Sequence, residues 1–165
     1  MDKDRVRYGL LPLLARLLLV SEFLIAVNGK VFGWTDQAGY MRAHGMHFVT
    51  PLLAAALAIE LVGSICLITG FKARLAAGVM AVYLVIVSVE LHDFWNMSGM
   101  PAGANLTQFF KNLGMVGGLL MIVSYGPGRW ALGTALRRGE APSSDKSPNW
   151  SRLRNDAPAS RSTAR

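Results

Sequence analysis

The sequence predicts an all-α, polytopic membrane protein, a four-transmembrane-helix bundle with cytoplasmic N- and C-termini. Three observations predict it. Hydrophobic residues make up 52% of the 165 residues and charged residues only 16%, against about a quarter in an average soluble domain. The charges are uneven, with eleven between Tyr8 and Tyr125 and the other sixteen in the rest of the chain. Four apolar segments each approach the length of about 20 residues that crosses a bilayer.

The first segment runs from about Leu10 to Val27. Lys3, Arg5 and Arg7 before it resemble the basic start of a signal peptide. Arg16 and Glu22 interrupt its apolar run, however, and no small-x-small cleavage site follows, so it reads as a retained helix. On an insertion scale its dozen or so large aliphatic and aromatic residues return about 4–7 kcal/mol, while two central charges cost about 5–7. With so narrow a balance, Arg16 and Glu22 must point into the bundle and find partners there.

The second segment, from about Val49 to Gly70, contains Glu60. The third runs from about Leu75 to Asp93, with Glu90 near its end. Its stretch LAAGVMAVYLVIVSV, Leu75 to Val89, carries no charge on any helical face. A helix apolar all round belongs in lipid when the chain is too small to bury it. The fourth runs from about Gln108 to Tyr125, with Lys111 and Asn112 at its start. Residues 1–9 then form a cytoplasmic N-terminus, residues 10–133 the membrane domain, and the Ser-, Pro- and Arg-rich residues 139–165 a disordered basic cytoplasmic tail.

The net charge of +7 is not that of a nucleic-acid groove, because eight of the 17 Lys and Arg follow Tyr125, beside an apolar body. Charge bias sets the orientation. One side carries Lys3, Arg5, Arg7, Lys72, Arg74 and three arginines after Tyr125, whereas the other carries only Lys30, Arg42 and Lys111. The first side is therefore cytoplasmic. A single cysteine, Cys66, excludes a disulfide framework and any CxxC pair within the chain.

With that orientation, the order of residues sets their depth. Glu22 lies just outside the midplane and Glu60 near it. Lys30, Glu90, His92, Lys111 and Asn112 gather toward the outer end. A polar pocket in the outer half is expected from Glu22, Lys30, Glu60, Glu90, His92, Lys111 and Asn112. Two readings of these charges compete: ion pairs that fix helix register, or a pocket that binds a head group or relays protons. His44 and His47, spaced i, i+3, reach a metal only with a third ligand such as His92 or Asp93, so water- or headgroup-bonded histidines are the simpler expectation. Trp34, Phe94 and Trp95 fit an outer aromatic belt, and Tyr125 with Trp130 an inner one.

Several stretches carry a family resemblance. ARLLLVSEFLIAVNGKVFG (Ala15–Gly33) and AIELVGSICLITGFKAR (Ala58–Arg74) are followed by HDFWNM (His92–Met97) and FFKNLGMVGGLLMIVSYGPGRWALG (Phe109–Gly133). From about Leu14 to Gly133 the chain resembles the DoxX family of small bacterial four-helix membrane proteins. Arg16, Glu22, Lys30, Glu60, Lys111 and Asn112 match the family's polar pattern. The resemblance implies a bacterial inner (plasma) membrane location and kinship with DoxD, the membrane subunit of an archaeal thiosulfate:quinone oxidoreductase. It implies no defined catalytic residues.

The expected function is a quinone-associated or partner-binding subunit of a membrane redox system, in the bilayer and with electrons supplied by a partner protein. No flavin, haem or iron–sulfur motif is recognisable in the chain. If the protein acts in an enzyme, it is as an accessory subunit of a quinone-linked oxidoreductase, with quinone as the candidate cofactor. The alternative is a non-enzymatic membrane scaffold or assembly protein. A small-solute or proton transporter is a third reading, disfavoured by the lack of a repeat or broken helices. Self-association stays open.

Overall fold

The computed structural model describes residues 2–134. The expected tail at 139–165 lies outside the described residues. Among the described residues, four helices are long and apolar enough to cross a membrane: α1 (Lys3–Phe32), α3 (Val49–Thr69), α4 (Ala73–Leu91) and α5 (Gly99–Tyr125). A shorter helix, α2 (Trp34–Ala43), connects α1 to α3, and a 3₁₀ turn over Phe94–Asn96 precedes α5.

In α1 a π-helical turn over Val6–Leu10 precedes Pro12. Proline has no N–H to give to the carbonyl four residues earlier. That carbonyl, on Tyr8, instead accepts the N–H of Arg129 at 2.7 Å, which ties the segment after α5 to the start of the chain. α3 ends at Gly70, whose φ of 74° suits glycine. Space demands glycine there too, since a Cβ would collide with Ala131.

α1 packs on α3, α3 on α4 and α4 on α5, while α1 and α5 touch only sparingly. The core between them holds Val20, Phe23, Leu67, Met80, Leu84 and Leu119. Without a hydrophobic drive between helices in lipid, close approach relies on small residues. Gly63 faces the Met80 side chain, and Ala77 and Ala81 are buried. On α5, Gly118 packs against Leu19, whereas nothing lies within 4 Å of a Cβ built at Gly114. Ala54 and Ala58 face outward.

The basic end of the bundle carries Lys3, Arg5, Arg7, Lys72, Arg74 and Arg129, and α2 covers the far end. Arg16 is 1% exposed, and its partners are carbonyl groups rather than a carboxylate. Its guanidinium donates to Leu67 O at 2.8 Å, Ile68 O at 3.1 Å and Trp130 O at 2.7 Å. It satisfies the last carbonyls of α3 and locks the post-α5 segment onto them.

Three element boundaries differ from expectation. α1 begins at Lys3 rather than near Leu10, because a polar first turn is compatible with helix beyond the apolar core. α5 begins at Gly99 rather than near Gln108: Pro101 falls in the first turn, where its missing N–H costs nothing. The stretch between the first and second apolar segments, which no apolar run marks, contains α2, which buries Ala38 and Met41 against Val49 and Leu53.

Candidate functional site

The far half of the bundle encloses a cavity of about 550 Å³, within the usual ~300–1,000 Å³ of ligand sites. Glu22, Lys30, Glu60, Glu90, His92, Lys111 and Asn112 all line it. Phe23, Met41, Leu53, Ile59, Leu84 and Met115 supply much of its apolar wall.

Glu60 is the deepest polar group, midway along α3 and 3% exposed. Its Oε1 accepts from Lys30 Nζ at 2.9 Å and from the Tyr83 hydroxyl at 2.7 Å. Lys30 stands at the far end of α1 and reaches down to this carboxylate. Its aliphatic stem is what lets a charge near a helix end meet a partner deeper in the bundle. The other oxygen, Glu60 Oε2, is buried and has no hydrogen-bond partner among the described residues. An unpaired acceptor of this kind is costly to leave empty-handed, and it belongs to a residue that lines a ligand-sized cavity.

Lys111 Nζ donates to Glu22 Oε2 at 3.1 Å. This ion pair bridges α1 and α5, the neighbours that pack most thinly, and its side chains are 40% and 39% exposed. Asn112 is committed to packing. Its amide donates to Ser88 Oγ at 3.1 Å, and the Ser88 hydroxyl donates to Leu84 O at 2.6 Å. Glu90 is exposed and has no ion-pair partner within 4.0 Å among the described residues.

His92 belongs to a network that closes the far end. Its Nδ1 lies 3.0 Å from Asn105 Oδ1. The Tyr40 hydroxyl donates to Leu91 O at 2.7 Å and stands 3.2 Å from Asn105 Oδ1. Burial raises the Tyr40 phenol above its ordinary pKa; the Asn105 bond opposes this and the Asp93 carboxylate adds to it. The phenol therefore stays a donor at neutral pH. His44 caps α2 through Tyr40 O at 2.9 Å, and its Nε2 lies 3.6 Å from Asp93 Oδ1. His47 is exposed. Among the described residues, no three His, Cys, Asp or Glu side chains come together as a metal would need.

Sequence reasoning missed Tyr83, Ser88, Tyr40 and Asn105. Tyr83 and Ser88 sit inside the uncharged run of α4, where hydropathy hides them. The available signal was the phenol itself, since a buried tyrosine hydroxyl usually finds a partner.

The DoxX family model matches residues 11–93, which hold Arg16, Glu22, Lys30 and Glu60. The chain belongs to the DoxX family. It is 32% identical over 124 residues to inner membrane protein YphA of Escherichia coli (strain K12), covering 74% of this chain and 87% of that protein. Inner membrane protein YqjF of the same organism is 30% identical over 127 residues, covering 76% and 92%. A more distant relative, the ER-derived vesicles protein ERV29 of Saccharomyces cerevisiae, is 25% identical over 128 residues, covering 68% of this chain and 41% of its own. No solved structure matches the chain. With four membrane-length helices and these relatives, this DoxX protein is a multi-pass protein of the inner membrane.

Proposed function

We propose that this DoxX protein is a quinone-binding subunit of a membrane redox assembly, with the far cavity as the quinone site. The observation that carries the reading is Glu60 Oε2, a buried acceptor without a partner, on a residue lining a cavity with extensive apolar walls. Such a pair of features suits the reduced, quinol form, a lipid-soluble ring that bears hydroxyl groups. Phe23, Leu53, Leu84 and Met115 would hold the ring, and Glu60 Oε2 would accept from a quinol hydroxyl. Quinones supply two-electron chemistry coupled to proton transfer, and a partner protein supplies or takes the electrons.

The chain's own residues have distinct tasks. Lys30 and Tyr83 both hold Glu60 Oε1, so they fix the carboxylate and leave Oε2 to take or return a proton. Glu22 and Lys111 line the cavity at the thin α1–α5 seam, and this seam is the lateral route from lipid. Glu90 continues the path of protonatable groups toward the far end, where His92 follows, its ring held by Asn105.

The test is mass spectrometry of a solvent extract of the purified, detergent-solubilised protein. Near-stoichiometric quinone is expected in the wild type, with a loss of at least about tenfold in Glu60→Gln. That loss is the scale of one hydrogen bond to a charged group. An extract holding only bulk lipid, or a Glu60→Gln variant that keeps its quinone, overturns the reading and favours the scaffold role.

A further inference from the structure

A second cavity, of about 1060 Å³, opens at the basic end. It is formed where the first turns of α1, the start of α4 and the Gly126–Pro127–Gly128 segment meet. Arg7, Lys72, Arg74 and Arg129 line it, and among the described residues no acidic residue does. None of these four cations lies within 4.0 Å of a carboxylate among the described residues. This site is separate from the quinone cavity, at the opposite end of the bundle.

The backbone adds to the positive character. α4 starts at Ala73, and Ala73, Arg74 and Leu75 all line the cavity. No side chain caps these first amides, and no acidic residue stands in the first turn. Uncapped amides at a helix start attract anions, and cations there are unfavourable unless an anion offsets them. Lys72 and Arg74 occupy that unfavourable place.

The arrangement is built rather than incidental. Gly126, at φ 85°, has Arg74 Nε and Nη2 only 3.2 Å from where a Cβ would stand. The Arg129 N–H bond to Tyr8 O, at 2.7 Å, holds that residue's backbone against α1. Orienting a protein in the bilayer requires positive charge near the helix ends; it does not require four cations and a bare helix start around one concavity.

We propose that this cavity binds the phosphate headgroup of an anionic phospholipid. The shared chemistry with free phosphate is the phosphate itself, and the surroundings favour the lipid. Leu75, Met121 and Tyr125 line the same cavity and are 65%, 59% and 78% exposed, which places acyl-chain surface beside the cations. The volume also exceeds what a lone phosphate fills and suits a headgroup with its glycerol.

The test is native mass spectrometry of the full chain in detergent, titrated separately with phosphatidylglycerol, cardiolipin, phosphatidylcholine and inorganic phosphate. Phosphatidylglycerol and cardiolipin are expected to stay bound at concentrations where phosphatidylcholine does not. Arg74→Gln and Arg129→Gln should each weaken that binding about tenfold, the scale of one charge-assisted hydrogen bond. Arg42→Gln, on α2 at the far end, should leave it unchanged. Thermal unfolding shows which variants remain folded, and Arg129→Gln keeps the backbone bond to Tyr8 if Arg74→Gln does not fold. Equal retention of phosphatidylcholine overturns the proposal, as does an effect of Arg42→Gln equal to that of Arg129→Gln. Binding of inorganic phosphate without retention of either anionic lipid assigns a free-anion site and overturns the lipid reading.

Discussion

At the residue scale the two buried cations are held in different ways, and substitution separates them. Lys30 and Glu60 form a desolvated ion pair, with side chains 12% and 4% exposed. Removing one partner strands a buried charge, so Lys30→Met should cost about 3–5 kcal/mol, whereas Lys30→Met with Glu60→Met should return close to wild-type stability. Thermal unfolding in detergent reads both; a double variant as unstable as the single one would mean that the pair is not self-contained. Arg16 has no such rescue. Its four carbonyl partners, Pro12 O on its own helix among them, lie on three segments, and only a planar fork reaches them together. Arg16→Lys should therefore lose about 2 kcal/mol or more, by the worth of hydrogen bonds to charged groups, with a matching drop in membrane abundance. The need for Arg16 to find partners was legible in the sequence, because an arginine in an apolar helix must be satisfied. The identity of its partners was not, because backbone carbonyls carry no sequence signal. Tyr83 stayed hidden for the opposite reason: its ring reads as apolar while its hydroxyl makes the bond that matters.

At the scale of elements, the four long helices were legible because lipid leaves the backbone no alternative to helix over that length. Their middles match expectation, as do both ends of α3 and α4 to within two residues; the starts of α1 and α5 do not, since hydropathy marks the apolar core and is silent about polar turns that continue the helix. α2 was illegible because only Ala38 and Met41 along it are buried, too sparse a stripe to show a period. The lining residues Glu22, Lys30, Glu60, Glu90 and Lys111 come together around one cavity because chain order alone fixes depth in a four-helix bundle. Close packing makes a sharper prediction. A Cβ at Gly63 would collide with Met80 Sδ, so Gly63→Ala should cost about 1–3 kcal/mol as an overpacked core does, and Met80→Ala in the same chain should relieve part of it. Gly114 meets nothing within 4 Å, so Gly114→Ala should be neutral or slightly stabilising by helix propensity. Melting temperatures of the three variants check the contrast, and a destabilised Gly114→Ala would point to a second chain packed on that face of α5.

For the whole molecule, the two cavities lie at opposite ends, so orientation decides which side of the membrane each serves. The basic end holds Arg7, Lys72, Arg74 and Arg129 around one cavity, whereas at the far end Lys30 and Lys111 are held in ion pairs and, among the described residues, Arg42 alone of its lysines and arginines is not. Unpaired cations resist translocation, while paired ones are neutralised within the bundle, so the charge bias is stronger in the folded protein than a count of residues implies. Both the described start of the chain and the segment after α5 should face the cytoplasm, and α2 should face outward. Cysteine labelling tests this directly, because Cys66 is the chain's one cysteine and can be replaced by serine. On that background, Thr35→Cys in α2 and Asp4→Cys at the start of α1 both place a thiol at an exposed position. A membrane-impermeant maleimide added to cells with a permeabilised outer membrane should label Thr35→Cys at once. It should label Asp4→Cys only after the inner membrane is opened. The reverse pattern would place the Glu60 cavity in the cytoplasmic half and its proton path toward the cytoplasm, and the phosphate-binding cavity would then meet the outer leaflet instead of the inner one.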